Sequence, residues 1–253
     1  MSLDRRALAE EVLRDARLAG YPPGQYVQQE SFATARDVLS LARQSGVGRD
    51  TEVLDLCCGI AGFGRHLTRE LGCRYVGIDQ SAAAIDLARQ RSTGLTCQFI
   101  TATIPPIPAG EYDVVLLLET VLAFRNKDVL VSDIAGVLRP GGRFACTIEA
   151  GVPLSVAERA AMPQSDTVWP IPLAEFTALL ASSGLTVSWV RDDSTAHLCV
   201  VDGLLAAFAA QHDAVAAGIG KSAIAELIAT HQLWSQWIGA GRIRKYAMVA
   251  QKA

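Results

Sequence analysis

The chain has 253 residues, half of them apolar and 19% charged, enough to bury a core as one large domain or as a domain with an appended lid. Its 23 basic and 26 acidic residues leave a net charge of -3, which gives no electrostatic ground for a nucleic-acid partner. No apolar run approaches the roughly 20 residues of a membrane span, so no membrane partner is expected.

The first residues, MSLDRRALAEEVLRDARLAG, read as a charged amphipathic helix without the long apolar core of a secretory signal. The most informative stretch is TEVLDLCCGIAGFG, from Thr51 to Gly64. An apolar run (Val53, Leu54, Leu56) carries Asp55 and then breaks into Cys57, Cys58, Gly59, Ala61, Gly62 and Gly64 before the helical pattern RHLTREL. This predicts a strand, a tight loop and a helix, with backbone N–H groups presented at the helix N-terminus. A second strand, Tyr75 to Ile78, ends in Asp79, 20 residues after Gly59. An acid at that offset is placed to grip a ribose diol, so an adenosine-containing cofactor is expected.

Next comes SAAAIDLARQR, a helix with Ser81 as its N-cap. LTCQFITA is a third strand, IPPIPAG a loop, and YDVVLLLE a fourth strand apolar enough to be covered on both faces. KDVLVSDIAGVL is a helix stopped by RPGG, read as a turn, and RFACTIEA is a fifth strand. PLAEFTALLASSG is a helix, LTVSWVRDD a sixth strand and IRKYAMVAQ a seventh. The alternation predicts an α/β fold, a mostly parallel sheet with helices on both faces. The expected divisions are 1–50, an N-terminal helical flap; 51–193, the cofactor-binding core; 194–240, a helical cap insert; and 241–253, the closing strand. The two extra segments either pad the sheet or cap the strand ends, where open α/β sheets bind ligands.

The motifs VLDLCCGIAGFG, YVGID, FITATIPPIP, YDVVLLLETVL and VLRPGGRF, in this order and spacing, resemble the class I S-adenosylmethionine-dependent methyltransferases. The resemblance covers roughly residues 50–190 and 242–251. GQYVQQESF, at Gly24–Phe32, resembles the flap of members that act on small molecules. It implies a Rossmann-like seven-stranded sheet with the last strand antiparallel, S-adenosyl-L-methionine as cofactor, and methyl transfer to a small-molecule acceptor. By the same resemblance Asp55 organises the glycine loop near the methionine end, Gly59 and Ala61 belong to that loop, and Asp79 binds ribose. Gln80 packs beside adenine, Glu119 lines the methionine and substrate side, and Tyr26, Gln29 and Ser31 form the flap over the methionine carboxylate. Ala102 and Thr103 follow the third strand, where the family often carries an acid for the adenine amino group; Thr103 offers a hydroxyl instead. Cys57 and Ala61 replace usual loop glycines, and having a Cβ they are expected to avoid positive φ.

An oxygen, nitrogen or carbon acceptor remains open, and a hydroxyl or enol would profit from a general base. His197, just where the chain leaves the sixth strand, is the candidate base, or else a polar residue fixing the loop. Glu149, ending the fifth strand, either orients an acceptor or faces water. His66 reads as a surface or packing residue, and His212 and His231 as residues of a solvated helix face. Trp169, Trp234, Trp237, Phe124 and Phe208 are candidates for an aromatic pocket or simply core. The six cysteines show neither a C-x-x-C pair nor a Cys/His ligand spacing, so no metal is expected and a reducing cytoplasm is the natural compartment. The alternative is a protein that binds the sulfonium cofactor without transferring its methyl group. A nicotinamide dehydrogenase is a weaker reading, because GIAGFG lacks the G-x-G-x-x-G spacing.

Overall fold

The computed structural model describes residues 3–163 and 168–253. Seven strands form one sheet: β1 Glu52–Leu56, β2 Arg74–Asp79, β3 Cys97–Thr101, β4 Tyr112–Leu117, β5 Leu138–Ala150, β6 Leu185–Asp192 and β7 Arg244–Lys252. Their order is β3-β2-β1-β4-β5-β7-β6. β7 pairs antiparallel with both β5 and β6, whereas β1 to β5 pair in parallel, as expected from the sequence. The helices are α1 Leu3–Gly20, α2 Ala35–Gln44, α3 Gly62–Leu71, α4 Ala82–Arg91, α5 Lys127–Val137, α6 Val156–Ala161, α7 Leu173–Ser182, α8 Ser194–Ala210, α9 His212–Ile219 and α10 Lys221–Gly239.

Side chains alternate across the strands, which sends the apolar runs into two cores. Leu54, Leu56, Val115 and Leu117 pack with Val131 and Ile134 of α5 and Phe176 and Leu180 of α7. Val53, Val114 and Leu116 pack on the other face with Val38 and Leu41 of α2 and Phe63 and Leu67 of α3. Both faces are covered, which accounts for strands apolar throughout. RPGG, read as a turn, instead lies within β5. The register jumps from Tyr112↔Leu138 to Val114↔Arg143, so Arg139–Gly142 bulge from the ladder, with Gly141 at φ +75.

The strand order reverses between β1 and β4, and the crevice at their carboxyl ends is where open α/β sheets take ligands. A helical layer made from both ends of the chain lies beside it. Leu13, Ala16 and Tyr21 pack with Val200, Leu204 and Phe208 of α8, Val215 of α9 and Ile224 of α10. Val201, Trp234 and Trp237 of this layer also bury Leu122 and Leu154, which follow β4 and β5, so the layer covers that end of the sheet. Two glycines allow α1 and α8 to touch: a Cβ on Gly203 would lie 2.3 Å from the Gly20 carbonyl oxygen. Gly203→Val therefore pushes the two helices apart, an overpacking expected to cost at least about 1–3 kcal/mol. Urea unfolding measures this; an unchanged midpoint would mean that the helices are not held at this crossing.

Candidate active site

The loop after β1 is built for close approach. Cys57, Gly59 and Ala61 all adopt left-handed backbone, at φ 59, 55 and 55, and Gly62 opens α3. The expectation that Cys57 and Ala61 avoid positive φ is corrected. Their side chains are small enough to bear a strain of order 1–3 kcal/mol each, held by packing around the loop. A Cβ on Gly62 would lie 2.5 Å from the Gln28 carbonyl oxygen, so the flap segment is pressed onto the start of α3. A Cβ on Gly59 would meet only Glu30 Oε2, at 3.9 Å, and would otherwise enter open space.

That space is a cavity of about 540 Å³, lined among others by Asp55, Gly59, Asp79, Gln80, Ala102, Glu119, Gln29 and Ser31. Asp79, at the end of β2, accepts the Gly59 N–H at 2.9 Å and the Ser81 N–H at 2.8 Å. It thus ties the glycine loop to α4 and still has lone pairs to offer. Asp55 accepts the Tyr75 hydroxyl at 2.5 Å. Burial pushes the Asp55 carboxyl up to about 7, against the Tyr75 hydrogen bond and with help from Asp79. Burial likewise pushes the Cys57 thiol up to about 12, so it faces the cavity neutral.

Three of the cofactor candidates from the sequence do not line this cavity. Thr103 is exposed, while its neighbours Ala102 and Ile104 form the wall. Ala61 is buried in the core behind the loop. Tyr26 stacks on Tyr21, with ring centroids 5.4 Å apart, and backs the flap. Gln29 is at the wall, but its amide is committed to the flap: it accepts from the Val27 N–H and donates to the carbonyls of Gln25 and Ala33. Ser31 is committed similarly, its hydroxyl accepting from Ala33 and its carbonyl from the Tyr21 hydroxyl.

A second cavity, of about 430 Å³, lies under the helical layer. It shares Glu30, Ser31, Glu119, Thr120 and Ala123 with the first, so the two spaces meet along one wall. Its lining is largely apolar and aromatic, with Phe32, Leu204, Phe208 and Trp234. His231, expected on a solvated helix face, is buried here between Phe32 and Phe208, each ring centroid 5.1 Å away. Of the other candidates, Phe124 lines the first cavity, Trp237 is core, and Trp169 lies at a separate cleft beneath Arg125 and Arg159.

Glu119, Glu149 and His197 meet at the junction, with Lys245 between them. Antiparallel pairing sets Lys245 opposite Glu149, and the buried ammonium donates to both Glu149 and Glu119. His197, in the first turn of α8, places Nδ1 3.9 Å from Glu119 and Nε2 4.0 Å from Glu149. Glu119, at φ 62, also accepts the Phe32 N–H and the Thr147 hydroxyl. The three ligand-type groups lie within 4.8 Å of one another, as around a metal, but Lys245 supplies the cation.

Two carboxylates sharing one ammonium cannot hold charge equally. Burial works against the Glu119 anion, yet Lys245, His197 and its extra donors hold its pKa below the usual range. Burial, opposed by Lys245 but reinforced by Glu119, raises that of Glu149. Burial, then Lys245, lowers His197 to about 3 against the pull of Glu119, so the imidazole is neutral. Among the described residues, Thr120 Oγ1, Glu149 Oε2 and His197 Nε2 are buried without a hydrogen-bond partner. Lys245 and Tyr21 were not candidates in the sequence. An isolated Lys in a strand otherwise buried, YAMVA, was the available signal for the former.

Residues 53–142 match the methyltransferase-domain family model. The chain carries a methyltransferase domain. It is 30% identical over 132 residues to a fatty-acid O-methyltransferase of Mycolicibacterium smegmatis, covering 50% of this chain and 48% of that one. It is 29% identical over 178 residues to the chloroplastic tocopherol O-methyltransferase of Arabidopsis thaliana, covering 64% and 51%. The matches thus span about half the length of these curated relatives. The cyclopropane synthase MmaA2 of Mycobacterium tuberculosis superposes with a TM-score of 0.83 at 12% identity, covering 100% and 99% of the two chains. Phosphoethanolamine N-methyltransferase 2 of Haemonchus contortus, solved with S-adenosylhomocysteine, gives 0.79 at 16% identity, covering 100% and 60%. The chain therefore shares the fold of these neighbours, a seven-stranded sheet whose last strand in this chain runs antiparallel.

Replacing Lys245 with Met leaves two buried carboxylates facing each other and His197. Breaking such a cluster costs about 3–5 kcal/mol. Without the ammonium both carboxyl pKa values in the folded state rise above the unfolded value of about 4.3. The stability of the variant is then fully present below that value and is lost as pH rises. Denaturation of Lys245→Met is thus expected to show a larger deficit at pH 8 than at pH 5; an equal deficit at both would contradict the charge assignment.

Proposed function

We propose that this protein transfers a methyl group from S-adenosyl-L-methionine to a small-molecule acceptor by in-line displacement in a site closed by the helical layer. The observation that carries this reading is the junction of two cavities along the Glu30–Ser31 and Glu119–Thr120–Ala123 wall, one floored by a glycine loop and an acid, the other aromatic. The first fits the cofactor: Gly59 leaves its space open, Asp79 offers acceptors to a ribose diol, and Gln80 and Ala102 lie where adenine would pack. We assign Asp55 and the flap residue Ser31, which line the first cavity, to the methionine end, and Glu119, which lines both cavities, to the opening toward the acceptor. The bound sulfonium supplies an activated methyl group.

The chain's own contribution is orientation, exclusion of water and a route for a proton. The helices over the site, from residues 1–50 and 194–240, act as flap and cap to the core of 51–193 and the closing strand 241–253. His197, which lines the acceptor cavity and whose neutral imidazole has a buried Nε2 without a partner, takes the proton that the acceptor gives up. Glu119 at 3.9 Å from Nδ1 stabilises the resulting imidazolium. Glu149 orients the acceptor. The aromatic second cavity favours transfer over mere cofactor binding, which would not need it. The six free thiols, Cys57, Cys58, Cys73, Cys97, Cys146 and Cys199, support a reducing, cytoplasmic compartment.

Asp79 is the side chain on which cofactor affinity depends most. Charge-assisted hydrogen bonds are worth about 1.5–3 kcal/mol each, and Asp79 also holds the loop. Calorimetry is expected to show Asp79→Ala binding S-adenosylhomocysteine at least tenfold more weakly while remaining folded. Unchanged affinity would overturn the ribose assignment.

A further inference from the structure

The second cavity carries information about the acceptor that the family resemblance does not. Its charged groups cancel. Arg17 lies 3.8 Å from Glu30 on one side. On the other, Lys245 donates to both Glu119 and Glu149, and burial beside the Glu119 anion raises the Glu149 pKa, which favours its neutral form. His197 is neutral, and the rest of the wall includes Phe32, Phe208 and Trp234. An ammonium or carboxylate acceptor would bring an uncompensated charge into this space, which is strongly disfavoured.

Three polar atoms of the cavity wall lack a partner, Thr120 Oγ1, Glu149 Oε2 and His197 Nε2, and the last two belong to side chains that approach to 4.0 Å. A protonated carboxyl donates and a neutral imidazole nitrogen accepts. A hydroxyl satisfies both at once, accepting from Glu149 and donating to His197. A carbon acceptor without a hydroxyl would satisfy neither, and buried polar groups without partners are costly. The volume of about 430 Å³ lies at the small end of the range for ligand sites, about 300–1,000 Å³.

We propose that the acceptor is an uncharged hydroxyl compound with a flat apolar body of one or two rings, seated with its hydroxyl between Glu149 and His197 and its rings against Phe32, Phe208 and Trp234. This rests on the methyltransferase reading above. The hydroxyl proton passes to His197 Nε2 as the oxygen–methyl bond forms and the sulfur–methyl bond breaks, leaving a methyl ether, S-adenosylhomocysteine and an imidazolium beside Glu119.

The test uses the full-length protein saturated with S-adenosylhomocysteine and four probes of one shape: 2-naphthol, naphthalene, 2-naphthylmethylammonium and 2-naphthoate. Calorimetry at pH 7 is expected to show 2-naphthol binding at least tenfold more tightly than each of the other three. In His197→Leu the preference for 2-naphthol over naphthalene should fall at least fivefold, with naphthalene and S-adenosylhomocysteine affinities retained. Glu149→Gln, which keeps a donor, should preserve most of that preference. Equal or tighter binding of either charged probe, an unchanged preference in folded His197→Leu, or no saturable binding of 2-naphthol would overturn the proposal. Failure of S-adenosylhomocysteine itself to bind would instead remove the reading on which it rests.

Discussion

The site depends on one buried ammonium. Lys245 lies at the start of β7, and only because β7 runs antiparallel does that start reach the carboxyl ends of β4 and β5. A parallel closing strand would bring its far end there instead. The ammonium joins Glu149 at the end of β5 to Glu119 beyond β4, and Glu119 in turn receives the Phe32 N–H of the flap. His197 of α8 completes the group. Five segments far apart in the chain are thus locked at the junction of the two cavities. Such a cluster gives little net stability against an apolar replacement, but breaking it is expensive, so it specifies one arrangement.

The same cluster divides labour between two carboxyls. Glu119, with more donors, stays ionised and suits an imidazolium or a sulfonium nearby. Glu149, buried beside the Glu119 anion, has its pKa raised, which favours the neutral form that can donate from its unpartnered oxygen. Environments that push paired acids apart are a recurring way of making distinct chemical roles from one residue type. The backbone adds a further device: Cys57, Gly59, Ala61 and Glu119 all adopt left-handed conformations around the first cavity. Strain of this kind gathers where the main chain must approach a ligand.

Much of this was legible in the sequence, because the features concerned are local. The strand, small-residue loop and acid at Asp79 lie within one βαβ unit, and Ser81 caps α4 as its position suggests. The apolar runs gave the sheet, and their order gave its class. What escaped was set by distant partners. His231 reads as polar on a helix, yet tertiary packing encloses it between Phe32 and Phe208. Gln29 reads as a ligand contact, yet the flap consumes its amide. RPGG reads as a turn, yet pairing on both sides draws it into β5. Lys245 becomes informative only through the β5–β7 register, 96 residues from Glu149. Positive φ at Cys57 and Ala61 could not be foreseen from residue type, since propensity points the other way.

The central claim is that the two cavities are one reaction chamber divided at Glu119. A crystal structure of the S-adenosylhomocysteine complex tests it most directly. The account predicts ribose hydroxyls on the Asp79 carboxylate and the sulfur at the Glu119–Thr120 wall, facing the space beneath Phe208 and Trp234. Adenosine bound away from Asp79, or a sulfur turned from that opening, would contradict it.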